Sequence, residues 1–137
     1  MKLRIVQPRS RPECALALLL ACAYPLAASA HHSFAAVFDR EQPIEITGTV
    51  SDVEWMNPHV WVHVEVENDA SSPETWAFEL GSPNGLMRRG WRHDSLTQGQ
   101  VVTINGVLAR DGTMRGAVRT ITLSDGSSLF GAQDESR

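Results

Sequence analysis

The alternation of apolar and polar side chains is clearest at residues 60–67, VWVHVEVE. Val60, Val62, Val64 and Val66 fall on one side, and Trp61, His63, Glu65 and Glu67 on the other. That period of two predicts a half-buried strand. Residues 43–55 start the same way, with Ile44, Ile46, Gly48 and Val50 on one face, and then change parity to Val53 and Trp55. A parity change just after a mid-strand glycine predicts a bulge or a sharp bend. Residues 74–80 form a third strand, with Trp76, Phe78 and Leu80 inward. Residues 100–110 form a fourth, with Val102, Ile104, Gly106 and Leu108 on one face, and residues 117–124 a fifth.

Turn chemistry punctuates these runs. Asn57-Pro58-His59, the polar stretch 68–73, Asp111-Gly112 and Asp125-Gly126 each read as turns. Ser82 fits a helix N-cap with Pro83 at the first helical position, opening a short helix through Leu86-Met87-Arg88-Arg89 that ends at Gly90. Trp91 is placed to cover one end of the fold. Three strands, a short helix and two strands predict an all-β fold: a small five-stranded β-barrel resembling the OB-fold, with one short helix between strands 3 and 4. Such a fold fixes no function by itself.

The N-terminus changes the picture. Lys2, Arg4, Arg9 and Arg11 precede an apolar run from Ala15 to Ala23, Pro25 breaks that run, and Ala28-Ser29-Ala30 is a small-x-small cleavage site. Residues 1–30 therefore read as a signal peptide for the general secretion route, with a periplasmic mature chain starting at His31. The apolar run is shorter than the roughly 20 residues a spanning helix needs, so no stable membrane insertion is expected after cleavage. Leu19-Leu20-Ala21-Cys22 resembles a lipobox, which makes a lipoprotein anchored through Cys22 the alternative, disfavoured by Glu13 and the short apolar run. The expected division is a signal peptide over 1–30, an N-terminal arm over 31–42, the barrel over 43–130 and a disordered tail over 131–137.

Cleavage also changes the charge. The whole chain has 137 residues and a formal charge of −4. Beyond residue 30 the cations are eight Arg against fifteen Asp and Glu, a formal charge of −7. An acidic chain without Lys is a poor nucleic-acid binder. Both Cys lie in the first 22 residues, so the mature chain has neither a disulfide nor thiolate chemistry.

All five His lie beyond residue 30: His31, His32, His59, His63 and His93. If cleavage follows Ala30, His31 carries a free α-amine and chelates a metal through amine and imidazole together. His32 offers a second mode, and His59, after Pro58, is the best third ligand. Such nitrogen donors favour Cu(II), so copper is the expected metal, held by His31, His32 and His59. His63 alternates outward and reads as surface, and His93 as a turn residue.

Two other groups compete. Trp55, Asn57, Trp61, Glu79, Asn84 and Arg88 are the candidate lining of a pocket for a small ligand or glycan. Trp76 and Trp91 are better spent as core. Gly81-Ser82-Pro83-Asn84-Gly85 with Arg88, Arg89 and Arg92 lacks the Gly-Lys-Ser/Thr of a phosphate loop. Enzyme signals are weak, with no Gly-x-Ser-x-Gly, Cys nucleophile or His-Glu-x-x-His. Glu54 and Glu79 are candidates for a carboxylate pair, though no spacing requires it. A third class is an envelope protein-interaction module that uses a strand edge.

His31-His32-Ser33-Phe34, Asn57-Pro58-His59, Trp76-x-x-Glu79 and Gly81-Ser82-Pro83-Asn84 together resemble a family of small exported bacterial proteins known only as a domain of unknown function. The resemblance covers nearly all of residues 31–130. It implies a periplasmic single-domain protein and supplies no activity, cofactor or substrate. The leading expectation is an uncharacterised periplasmic binding module, more metal-binding than catalytic.

Overall fold

The protein is described by a computed structural model that covers residues 31–68 and 72–131. The expected signal peptide, Cys22 and residues 132–137 of the expected tail lie outside the described residues.

The chain is mostly β. Helix α1 (His31–Val37) leads into β1 (Phe38–Glu54), β2 (Trp61–Val66) and β3 (Glu74–Glu79). Helix α2 (Pro83–Arg88) follows, and then β4 (Val101–Ala109), β5 (Arg115–Leu123) and β6 (Ser128–Phe130). The strands form one sheet in the order β3-β2-β1-β4-β5-β6, and β3 also pairs with β5. That last pairing is parallel, joins Ala77–Glu79 to Arg115–Ala117, and turns the sheet into a ring. The other ladders are antiparallel.

Two expectations need correction. Six strands are present among the described residues, not five, because the Asp125-Gly126 turn returns the chain as β6 against Thr120–Thr122. The short three-residue strand has little period-two pattern to reveal it. Within the expected arm, 31–42, α1 ends at Val37 and β1 starts at Phe38. There are therefore two helices among the described residues, and only α2 lies between the third and fourth strands.

β1 is long because it serves two neighbours. Its residues from Phe38 to Thr49 pair with β4, and those from Thr49 to Glu54 pair with β2. The parity change seen in the sequence is a β-bulge. Val50 faces Val64 while Asp52 faces His63, so β1 holds one more residue than β2 at this point. Gly48 sits beside it because a Cβ there would lie 2.5 Å from the Glu65 carbonyl oxygen. Gly106 permits an equally close approach, with a Cβ falling 2.2 Å from the Ala117 carbonyl oxygen.

The ring encloses the main core. Val50, Val60, Val62, Val64, Phe78, Leu80, Leu86, Trp91, Leu96, Val102, Ile104, Val118 and Ile121 are all buried there. Helix α2 closes one end. The Ser82 hydroxyl caps it by accepting from the Gly85 amide, Pro83 opens it, and Leu86 is fully buried. Gly90 then takes a positive φ of 93°, which turns the chain so that Trp91 reaches the core. The Trp91 indole N–H donates to the Phe130 carbonyl at 3.0 Å and so ties β6 to this end.

A second, smaller core lies on the outside of the ring. Val107 and Ala117 face each other across β4 and β5, and Phe38 faces Ala109 across β1 and β4. With Phe34 of α1 packed on them, these four residues are buried. The Phe34 and Phe38 rings stand 5.1 Å apart, and Arg110 Nε donates to the Ala35 carbonyl at 2.9 Å. Helix α1 is thus docked on the outer face of β4 and β5. β4 is buried on both faces near its end, where Val107 and Ala109 lie in the second core.

Candidate functional site

The outer face of β1–β2–β3 carries Glu54, His63 and Glu79. Val62 and Val64 point inward, so Trp61 and His63 between them point out. The register sets their neighbours. Trp61 lies between Glu54 on β1 and Glu79 on β3, and His63 lies between Asp52 and Ala77. Trp61 and His63 are half-buried, as are Glu54 and Glu79.

Glu54 and Glu79 do not pair with each other. Each takes a histidine. His63 Nε2 lies 2.9 Å from Glu54 Oε1. His59 Nδ1 lies 2.5 Å from Glu79 Oε1. The backbone makes the second pair possible. Val60 N–H donates to the Gly81 carbonyl, and Leu80 N–H donates to the Val60 carbonyl, so the Asn57-Pro58-His59 turn is laced to the end of β3. The Asn57–Pro58 peptide is cis. Because a carboxylate only accepts, Nδ1 of His59 carries the proton of this bond, and Nε2 is left to act as a lone-pair donor when the ring is neutral. The Glu79 side chain is 14% exposed and that of His59 is 42% exposed. The carboxylate is held inside while the ring reaches solvent.

The remaining nominated residues spread further. Trp55 is half-buried against the main core, 6.4 Å from the Trp91 ring and 4.7 Å from the His93 ring. It belongs to the end of the ring, whereas Trp61 belongs to the outer face. Asn57 is exposed in its turn, and Asn84 and Arg88 are exposed on α2. The six pocket residues therefore do not all lie on one face. An open groove of about 300 Å³ lies elsewhere, lined by Pro43, Ile44, Glu45, Asn105, Gly106 and Arg119. Two turn carboxylates are also tuned away from this face. The Thr113 hydroxyl and amide, with Arg115, hold Asp111 down at about 2, and Ser127 lowers Asp125 in the same way.

His31 and His32 begin α1. Phe34 of that helix packs against the cluster of Phe38, Val107, Ala109 and Ala117, and the register partner of Ala117 across the parallel pairing is Glu79. The docking patch of α1 is therefore one strand away from the carboxylate that holds His59, on the same face of the sheet.

Asp52 and His63 were not singled out as functional by sequence reasoning. Asp52, Glu54 and His63 bring ligand atoms within 4.8 Å of one another, the candidate metal-holding group among the described residues. A signal was present in the parity change at Val50, which moves Asp52 and Glu54 to the outer face. The cross-strand register that adds His63 cannot be read from one strand. Among the described residues no helix is long and apolar enough to cross a membrane.

The model of a family of unknown function, DUF6152, matches residues 18–119. No curated protein matches this chain.

Proposed function

Since this chain belongs to the DUF6152 family, whose function is unknown, we propose from its own geometry that it is a periplasmic metal-binding module that takes copper. Residues 1–30 act as the signal peptide, and cleavage after Ala30 frees the His31 amine. The ligands are His59, through Nε2, and the histidines of the mature N-terminus, His31 and His32. The observation that carries this reading is the His59–Glu79 pair. Metal-binding histidines commonly donate their second ring N–H to a carboxylate, which fixes the tautomer and aims the other nitrogen. Here Glu79 is mostly buried and His59 is 42% exposed, so the ring is oriented and accessible. The docking of α1 one strand from Glu79 supports convergence of the N-terminal histidines on the same place.

The fold assignment that goes with this reading is an OB-type barrel of β1 to β5, with β6 as an addition. Strands 1, 2 and 3 pair in sequence, 3 pairs parallel with 5, 5 with 4, and 4 with 1. In OB barrels the face of strands 2 and 3 and the loop between strands 1 and 2 bind ligands. Trp61, His59 and Glu79 lie there.

The test is Cu(II) titration of the mature protein starting at His31. The expected result is one tight equivalent, weakened by about 10–100-fold in Glu79→Gln and by more in His59→Ala and His31→Ala. Equal copper affinity in wild type, His31→Ala and His59→Ala would remove the proposal. A second reading rests on Trp61, half-buried between two His–Glu pairs, as a stacking platform for a sugar ring or other small ligand. It is favoured instead if saccharides quench Trp61 fluorescence while copper does not.

A further inference from the structure

The bulge in β1 sets up a second donor group. Before it, Ile44, Ile46 and Val50 pack on the inner core, and after it Val53 does. An unbroken alternation from Val50 would turn Asp52 and Glu54 inward. The extra residue between Val50 and Asp52 brings both carboxylates to the outer face, where Asp52 sits opposite His63 and Glu54 opposite Trp61. Their two carboxylates and the imidazole bring one donor atom each within 4.8 Å of the others.

An ordinary ion pair needs only Glu54 and His63, which are 2.9 Å apart. Asp52, exposed at the edge of that pair, adds a third oxygen or nitrogen donor that the ion pair itself does not need. Donor atoms bound at about 2.0–2.2 Å to one ion stand roughly 3–4.4 Å from each other. The 4.8 Å limit on the observed spacing lies just above this range. Strands hold the three residues in place, and the partial exposure of Glu54 and His63 leaves room for water.

We propose that Asp52, Glu54 and His63 bind a zinc-class divalent cation, with three protein donors and water in an open position. One imidazole and two carboxylates suit Zn(II) and its first-row neighbours. The site shares no ligand with the copper reading, so each can fail without the other.

The test uses ZnCl₂ as the probe and amide NMR of the mature chain carrying His31→Ala, His32→Ala and His59→Ala, which lacks the other proposed nitrogen donors. The expected result is one equivalent of zinc, with shifts centred on Asp52, Val53, Glu54, Val62 and His63. Adding either His63→Ala or Asp52→Asn lowers affinity by about tenfold or more. Unchanged affinity in both variants, or no binding at millimolar zinc, overturns the proposal. If the triple variant does not fold, the wild-type mature chain decides through its shift map. Shifts at Asp52–Glu54 and His63 support the site, and zinc shifts confined to the His59 turn and α1 overturn it.

Discussion

Phe78→Ala is expected to cost the domain about 3–5 kcal/mol, the range for truncating a well-packed aromatic. Phe78 is fully buried, one residue before the end of β3. It faces Val62 across the ladder and stacks on Trp76 with centroids 6.0 Å apart. Across the parallel pairing its register partner is Gly116. A Cβ on Gly116 would come within 2.9 Å of the Phe78 ring, so the ring fills the space that this glycine leaves. Truncation therefore opens a cavity walled by both β2 and β5, and backbone strands cannot close around it. Small domains hold only about 5–15 kcal/mol in total. Chemical denaturation should show the midpoint moving sharply with the slope unchanged. A loss under about 1 kcal/mol would mean that the site collapses, contrary to this packing. Phe78→Leu, which keeps most of the volume, should cost far less.

Trp91→Ala should cost a similar amount, about 3–5 kcal/mol, with a different signature. Trp91 is 3% exposed and packs against the main core. Its backbone N–H donates to the Leu86 carbonyl, and its indole N–H donates to the Phe130 carbonyl at 3.0 Å. One side chain thus joins α2, the core and β6. Trp91→Phe keeps most of the apolar contact and loses only the indole bond, worth about 1 kcal/mol. Hydrogen exchange separates the two effects. In both variants the β6 amides should exchange faster than those of β4, and only Trp91→Ala should also lower protection across the main core. Unchanged β6 protection in both would show that the indole does not hold this strand.

Much of this architecture was legible along the chain. The valine alternation at 60–66 becomes β2, and the parity change after Val50 is a real bulge. Ser82, Pro83 and Gly90 bound α2 because each meets a local backbone need that its own chemistry supplies. Local chemistry fails where the partner is remote. Val107, Ala109 and Ala117 alternate like residues of an exposed face, and only the docking of Phe34 explains their burial. His63 reads as surface until Glu54 is known to lie across the ladder. His59 carries no sign of Glu79, twenty residues later, until the turn is laced to the end of β3. The candidate site was thus named in part by residue type, but its pairings come from register, which depends on two strands at once. The sixth strand escaped because three residues carry too little periodicity.

The parallel seam between β3 and β5 has a kinetic consequence. It joins Ala77–Glu79 to Arg115–Ala117, far apart in the chain, through three residue pairs. The ladders of β1 with β2 and β4 with β5 join strands nearer in sequence and are longer. Bringing distant segments together costs chain entropy before any contact repays it. β1 and β4 lie farther apart still but repay that cost with eight residue pairs against three, so the seam is expected to close last, when an open curled sheet becomes a ring. Until that step, β3 and β5 present unpaired edges to other nascent copies, and Glu79 stands on one of those edges. The residue that orients His59 is also among those that close the fold.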